Sequence, residues 1–202
     1  MDLLKQQNDQ IMQVQEFADG LPLDMVTGQP LPVFASSFYT TEMSRVLLNY
    51  KDHQRINVAG FLRPIAFRTL QYVADYFGYP YYRLIPMPSS GASMRKRGYN
   101  PVSTMLPKPA PPTLVYDVKT LKTRWQLLAR ASHWGSGVQS RRDGSRHKFS
   151  IATRHKPPAE PVILVDDVVT TGATIAAATR TLEAAGFDVV AAVVVAAVMP
   201  RS

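Results

Sequence analysis

The chain has 202 residues, which is enough for one domain with a substantial core, and its apolar fraction of 46% is ordinary for a globular protein. It contains no cysteine, which excludes disulfides, thiolate zinc sites and cysteine nucleophiles. The net charge of +8 is uneven, because residues 91–156 hold fourteen Lys/Arg and two acidic residues; this favours a polyanionic partner over a merely well-solvated surface.

The N-terminal third is predicted to be helical and irregular. Residues 1–20 show a weak amphipathic pattern that predicts a helix ending near Gly20, and a loop punctuated by Pro and Gly follows over 20–32. Apolar residues at helical spacing then predict two helices between 41 and 77, with a break near Asp52 and an interruption at Pro64.

The middle of the chain alternates short elements with polar loops. Residues 81–88 read as a strand that stops at prolines, followed by a basic loop, a brief helix over 101–106 and a strand over 114–118. Residues 119–150 are basic and rich in Ser and Gly with little periodicity, which predicts a mobile region with one helical turn near 125–131.

The C-terminal third has the strongest pattern. The continuous apolar run at 162–165 predicts a strand buried on both faces, 174–185 predicts a helix that Gly186 ends, and 189–198 predicts a second buried strand. A strand–helix–strand unit of this spacing predicts an α/β fold with a parallel sheet.

Asp166 and Asp167 are expected just beyond the first of these strands, at the edge where parallel sheets bind ligands. The loop that follows offers backbone N–H groups at a helix N-terminus, and Gly172 allows close approach of the backbone. Threonine hydroxyls add further donors. A ligand with a phosphate at one end and hydroxyls or Mg²⁺ beside it, such as a sugar phosphate, matches this combination.

Three other interpretations of the acidic pair are weaker. A nucleotide-binding Walker B acid needs a GxxxxGK[ST] loop, which the chain lacks. A phospho-acceptor receiver domain carries its acids near its start, whereas here only 35 residues follow Asp167. A plain strand end and turn would leave the ordered combination of acids, threonines and glycine unexplained.

The stretch VILVDDVVTTGATI at 162–175 resembles the 5-phosphoribosyl-1-pyrophosphate (PRPP) signature of type I phosphoribosyltransferases. The stretches LNYKDHQRINVAGFLRPIA at 48–66, LIPMPSSGASMRKRGYNP at 84–101 and an Arg/Gln-rich region over 130–149 follow the order seen in the ComF/GntX family, which is competence-associated. The resemblance implies a type I phosphoribosyltransferase-like α/β fold over 45–202, in which helices flank a parallel sheet and 119–150 is mobile. Residues 1–44 would form a helical or irregular N-terminal hood.

The resemblance also implies roles for individual residues. Asp166 and Asp167 would contact the ribose hydroxyls, directly or through Mg²⁺ that arrives with PRPP. Arg95 and Arg97 would neutralise the departing pyrophosphate, although a solvated basic turn is the alternative. The residues implied for the 5-phosphate are Val169, Thr170, Thr171, Gly172, Ala173 and Thr174. The residues implied for pyrophosphate are Pro86, Met87, Pro88, Ser89 and Ser90.

The sequence departs from the family pattern in two places. Members often begin with a cysteine-rich zinc segment, but here Asp24 and Thr27 stand where cysteines would fall, so we expect no zinc. Thr170 stands where purine-type transferases often carry a carboxylate that acts as a general base. A purine-salvage activity is therefore disfavoured.

Two functions remain open. The first is Mg²⁺-dependent transfer of phosphoribosyl to an unknown nitrogenous acceptor. The second is a non-catalytic PRPP sensor or DNA-uptake accessory whose basic face binds single-stranded DNA or a helicase-like partner. We expect a cytoplasmic location and no membrane partner, because the start lacks a signal-peptide pattern and the apolar run at 189–199 has only 11 residues. The oligomeric state and the acceptor are not specified.

Overall fold

The computed structural model describes residues 11–18, 20–23, 28–52, 56–108, 110–123, 149–152 and 157–199. Its strands are β1 (Met12–Gln13), β2 (Val33–Phe38), β3 (Tyr82–Pro86), β4 (Leu114–Tyr116), β5 (Leu121–Thr123), β6 (Phe149–Ile151), β7 (Val162–Val169) and β8 (Val189–Ala197). Its α-helices are α1 (Thr41–Asp52), α2 (Ala59–Phe77), α3 (Gly91–Arg97), α4 (Pro101–Met105) and α5 (Ala173–Glu183). Single turns of 3₁₀ helix lie at Gln15–Phe17 and Ile56–Val58.

Six strands form one mostly parallel sheet in the order β1-β2-β8-β7-β3-β4. All neighbours from β2 to β4 run parallel, and only the short β1 pairs antiparallel with β2. Helices pack on both faces, so the predicted α/β class with a parallel sheet flanked by helices is confirmed. The central strands β7 and β8 are apolar along almost their whole length because both of their faces are covered.

The two faces of the sheet carry separate apolar cores. One core joins α1, α2 and α4 to Ile163 and Val165 of β7. The other joins α5 and the N-terminal segment 14–21 to Val162 and Leu164. Because successive side chains of a strand point to opposite faces, β7 contributes to both layers.

Several local predictions are confirmed, and their physical basis is visible. The strand ending at Pro86, the brief helix α4 and the β7–α5–β8 unit all form. Gly186 ends α5 with φ of 84°, and the amides of Gly186 and Phe187 bond the carbonyls of Glu183 and Leu182, which is a Schellman arrangement. The predicted interruption at Pro64 is wrong: α2 runs through this exposed proline, because its buried face packs against the sheet on both sides of it.

Other predictions are wrong or incomplete. Residues 11–18 form no α-helix, because Met12 and Gln13 pair with β2 and a single 3₁₀ turn follows. The core strand β2 was not predicted. The ends of the region 119–150 form an antiparallel pair, β5 with β6, whereas 124–148 lie outside the described residues. None of the described helices is long and apolar enough to span a membrane.

Candidate functional site

The chain changes direction between β3 and β7, which are neighbours in the sheet. After β3 the chain moves outward to β4, and after β7 it moves through α5 to β8 on the other side. The last paired residues of the two strands are Pro86 and Val165, and the amide of Met87 still donates to the Val165 carbonyl at 2.8 Å. Residues 86–90 (the first loop) and 169–174 (the second loop) therefore diverge from one edge. A crevice of this kind is where open α/β sheets bind ligands.

The two aspartates lie inside β7 rather than beyond its end, which corrects the sequence prediction. Asp166 is still paired with Val194 of β8, although the ladder to β3 has stopped at Val165. The strand continues because β8 supplies backbone partners as far as Val169. Strand alternation then separates the two carboxylates: Asp167 lies on the α1 side of the sheet, and Asp166 lies beside the second loop.

Asp167 is buried and forms an ion pair with Lys51 of α1. The distance from Lys51 Nζ to Asp167 Oδ2 is 2.5 Å, and the Lys51 side chain is 30% exposed. Sequence reasoning missed Lys51 as a site residue. Its only signal was its place in the stretch 48–66, which resembles the ComF/GntX pattern.

Asp166 has a different environment. Its Oδ1 accepts a hydrogen bond from the Asp167 amide at 2.9 Å. Burial, followed by the neighbouring Asp167 carboxylate, raises the pKa of Asp166 from 3.8 to about 7. The side chain thus lies where positive charge or hydroxyl donors from a ligand would favour its ionised form.

A concave pocket of about 250 Å³, including its open mouth, lies beside Asp166. Its lining residues are Asp166, Val168, Val169, Thr170, Gly172, Ala173, Thr174 and Ile175. Five of the six residues predicted for the 5-phosphate are in this lining. Thr171 is not, and its carbonyl accepts a hydrogen bond from the Gly20 amide of the N-terminal segment at 2.8 Å.

Gly172 is needed for two local reasons. Its φ is 75°, in the left-handed region that favours glycine, and an added Cβ would lie 2.8 Å from Leu21 Cδ2. It precedes α5 without providing a side-chain cap, so the first turn of the helix presents backbone N–H groups beside the pocket. The Ala173 amide makes a long 3.4 Å bond to Thr171 Oγ1. Amide donors at a helix N-terminus suit an anion.

The first loop is held by hydrogen bonds from three directions. Asn100 Nδ2 donates to the Met87 carbonyl at 3.0 Å, and Thr123 Oγ1 of β5 donates to the Ser89 carbonyl at 3.4 Å. Ser90 Oγ caps α3 by accepting from the Ser93 amide at 3.1 Å. Pro86 is buried together with Met87, whereas Pro88 and Ser89 are half-buried. The loop is thus fixed in place while its outer part faces solvent.

Arg95 and Arg97 lie in the last turn of α3, the helix that directly follows the first loop. Arg95 is exposed and Arg97 is half-buried. Their positive charge also suits the C-terminal end of a helix, which agrees with the alternative of a basic turn. Their role at pyrophosphate remains a prediction.

The described residues contain no group of three His, Asp or Glu side chains that could hold a metal ion by themselves. Of the two adjacent carboxylates, Asp166 lines the pocket and Asp167 lies on the α1 side of the strand. Mg²⁺ commonly binds one or two carboxylates together with substrate phosphates and water. The donor set thus fits a Mg²⁺ ion that is shared with a phosphorylated ligand.

Residues 126–201 match the family model of the phosphoribosyl transferase domain. The matched segment includes β7, the second loop, α5 and β8. No curated protein matches the chain. The parallel sheet flanked by helices is consistent with the type I phosphoribosyltransferase fold. Over the matched segment, the chain is therefore similar to phosphoribosyltransferases of type I.

Proposed function

We propose that the protein binds PRPP and transfers its phosphoribosyl group to a nitrogenous acceptor. The observation that carries this proposal is the pocket of the second loop, in which Asp166 lies beside the amides at the N-terminus of α5. Its lining begins at Asp166, one residue after the last pair of β7 with β3, and lies within the segment that matches the phosphoribosyl transferase domain. The match to the phosphoribosyl transferase domain supports phosphoribosyl transfer as the class of reaction.

The donor half of the reaction follows from the order of groups along the edge of the sheet. The second loop binds the 5-phosphate through its amides and the hydroxyls of Thr170 and Thr174. Asp166 and Asp167 accept hydrogen bonds from the ribose hydroxyls. The first loop begins beside Val165, so the pyrophosphate at C1 extends towards it.

Transfer breaks the C1–O bond, and the electron pair leaves with pyrophosphate while the lone pair of the acceptor nitrogen forms the new C1–N bond. An acceptor nitrogen that carries a proton releases it to water or to the departing pyrophosphate. Arg95 and Arg97 stabilise the negative charge that develops on the leaving group. The rest of the acceleration comes from alignment of the two reactants. Mg²⁺, when bound with PRPP, would supply further positive charge to the leaving pyrophosphate. The two aspartates would hold the ion directly or through water.

Calorimetry tests the binding part of the proposal. Mg–PRPP is titrated into the wild type, into the Asp166→Asn/Asp167→Asn double variant and into Asp188→Asn, whose side chain is exposed after α5. We expect binding by the wild type and by the Asp188 variant, and a loss of at least about tenfold in the double variant because charged hydrogen bonds are removed. Absence of Mg–PRPP binding to the wild type would refute the proposal.

Turnover is tested separately by measuring pyrophosphate release across a panel of nucleobases and amines. Binding without turnover on any acceptor would favour the second candidate, a non-catalytic PRPP sensor or DNA-uptake accessory. The excess of basic residues over 91–156 is the observation that supports this candidate. It predicts salt-sensitive binding of single-stranded DNA that weakens in an Arg141→Ala/Arg142→Ala variant.

A further inference from the structure

Lys51 reaches the site from the face of the sheet opposite to the second loop. Its ammonium lies 2.5 Å from Asp167 Oδ2, and the Asp167 side chain is only 9% exposed. A nearly buried carboxylate next to a second carboxylate is costly unless a cation and hydrogen bonds compensate it. Lys51 supplies that compensation for Asp167.

The end of α1 that carries Lys51 is also attached to the first loop. Tyr50, the preceding residue, donates its hydroxyl to the Pro101 carbonyl at 2.7 Å, and its own carbonyl accepts from the Tyr99 hydroxyl at 2.7 Å. Burial raises the pKa of Tyr50 to about 12, so this hydroxyl remains a donor. Asn100, next to Tyr99, donates to the Met87 carbonyl in the first loop at 3.0 Å.

These contacts form a continuous series from one half of the site to the other. The first loop is held by Asn100, the neighbouring Tyr99 holds the last turn of α1, and that turn places Lys51 on Asp167. The contacts thus connect the Asp167 carboxylate to the first loop through the last turn of α1.

We propose that Lys51 is a positioning residue of the PRPP site, which orients the Asp167 carboxylate for a ribose hydroxyl and links it to the first loop. This inference rests on the proposed function. A lysine ammonium carries three donors, and one of them suffices to fix Asp167 Oδ2 from the α1 side. The other oxygen of Asp167 then remains able to accept from a ribose hydroxyl. Lys51 acts through Asp167 and makes no contact with the phosphates.

The test uses two ligands that share a phosphate but differ in hydroxyls. Binding of ribose 5-phosphate and of propyl phosphate is measured by calorimetry for the wild type, Lys51→Met, Asp167→Asn and the double variant. We expect Lys51→Met to lower the affinity for ribose 5-phosphate by roughly tenfold or more, and the affinity for propyl phosphate by less than about twofold. In the Asp167→Asn background, the same lysine substitution is expected to change affinity by less than about threefold, because the two residues act as a unit.

Lys108→Met is the matched control, since Lys108 is exposed beyond α4. It is expected to leave both affinities unchanged. If Lys51→Met does not fold, as judged by its thermal unfolding transition, Lys51→Ala replaces it, because alanine also removes every donor to the Asp167 carboxylate.

Three results would overturn the inference. Equal weakening of both ligands would show a direct contact with phosphate or a general structural role. An undiminished effect of the lysine substitution in the Asp167→Asn background would show that Lys51 does not act through Asp167. Unchanged binding in Lys51→Met would show no role at all. Failure of the proposed function is distinguishable from these, because the wild type would then bind neither ribose 5-phosphate nor Mg–PRPP.

Discussion

Replacing Asp166 by asparagine should stabilise the fold at neutral pH. The pKa of Asp166 is raised in the folded state by burial and by the Asp167 carboxylate, so the folded protein holds a proton that the unfolded chain releases more easily. The stability of the wild type is therefore expected to fall as pH rises from the unfolded pKa to the folded one. Asparagine removes this titration, and its Oδ1 can still accept from the Asp167 amide.

The magnitude follows from the shift. The pKa rises from 3.8 to about 7, and each unit corresponds to about 1.4 kcal/mol, so the ionised carboxylate costs up to about 4 kcal/mol of unfolding free energy above pH 7. Linkage places about 3 kcal/mol of that loss between about pH 5 and about pH 8.5. The variant should be nearly equal to the wild type in acid and clearly more stable in mild alkali.

Urea unfolding of both proteins across that pH range provides the measurement. The difference between the two free energies reports on Asp166 and its interaction with the Asp167 carboxylate, because groups elsewhere in the chain contribute equally to both proteins. Asp188→Asn serves as the control for loss of one negative charge at an exposed position. A difference between wild type and Asp166→Asn that stays flat with pH would refute the reasoning. If Asp166→Asn is more stable but binds Mg–PRPP more weakly, the ionised carboxylate of Asp166 lowers stability while contributing to ligand binding.

Substitutions at Gly172, Asn100 and Gly20 test the supports of the two loops. Gly172→Ala and Gly78→Ala both place alanine at positive φ, but only at Gly172 does the added Cβ meet a neighbour within 3 Å. We expect about 1 kcal/mol of destabilisation for Gly78→Ala and at least about 1 kcal/mol more for Gly172→Ala, measured by thermal unfolding. Asn100→Ala removes both the cap of α4 and the donor to the first loop and should cost about 1–3 kcal/mol, whereas Asn100→Asp restores only the cap; urea unfolding of both variants separates the two contributions. Gly20→Ala would put a Cβ 2.6 Å from the Thr171 carbonyl oxygen, so calorimetry should show weaker Mg–PRPP binding as the second loop shifts; unchanged affinity would show that the N-terminal segment does not position this loop.

The unit β7–α5–β8 could be predicted because its signals are local. Its strands are continuous apolar runs, its helix has a buried stripe, and a glycine ends that helix. The core strand β2 has no such signal: only its first three residues are buried, and its parallel partner β8 comes from the other end of the chain. Its conformation is decided by pairing that sequence periodicity does not reveal.

The candidate site also combines features that adjacent residues reveal with features that depend on long-range packing. The acids and the second loop are adjacent in the sequence, so their combination is recognisable from the residues alone. The extension of β7 through both aspartates depends on backbone partners from β8, which is why the strand was expected to end too early. Lys51 reaches Asp167 only because α1 packs across the sheet, and no spacing rule connects two residues so far apart in the chain.

The antiparallel pair β5–β6 has a consequence for how such a protein could change its specificity. It brings the two ends of the stretch 124–148 together, and Thr123 at its border bonds the carbonyl of Ser89. Doubling the length of a closed loop costs only about 0.6 kcal/mol of entropy, so whatever joins these ends can vary in length at little cost. The pair β5–β6 and the hydrogen bond from Thr123 to Ser89 would keep their positions if the number of residues between the two strands changed.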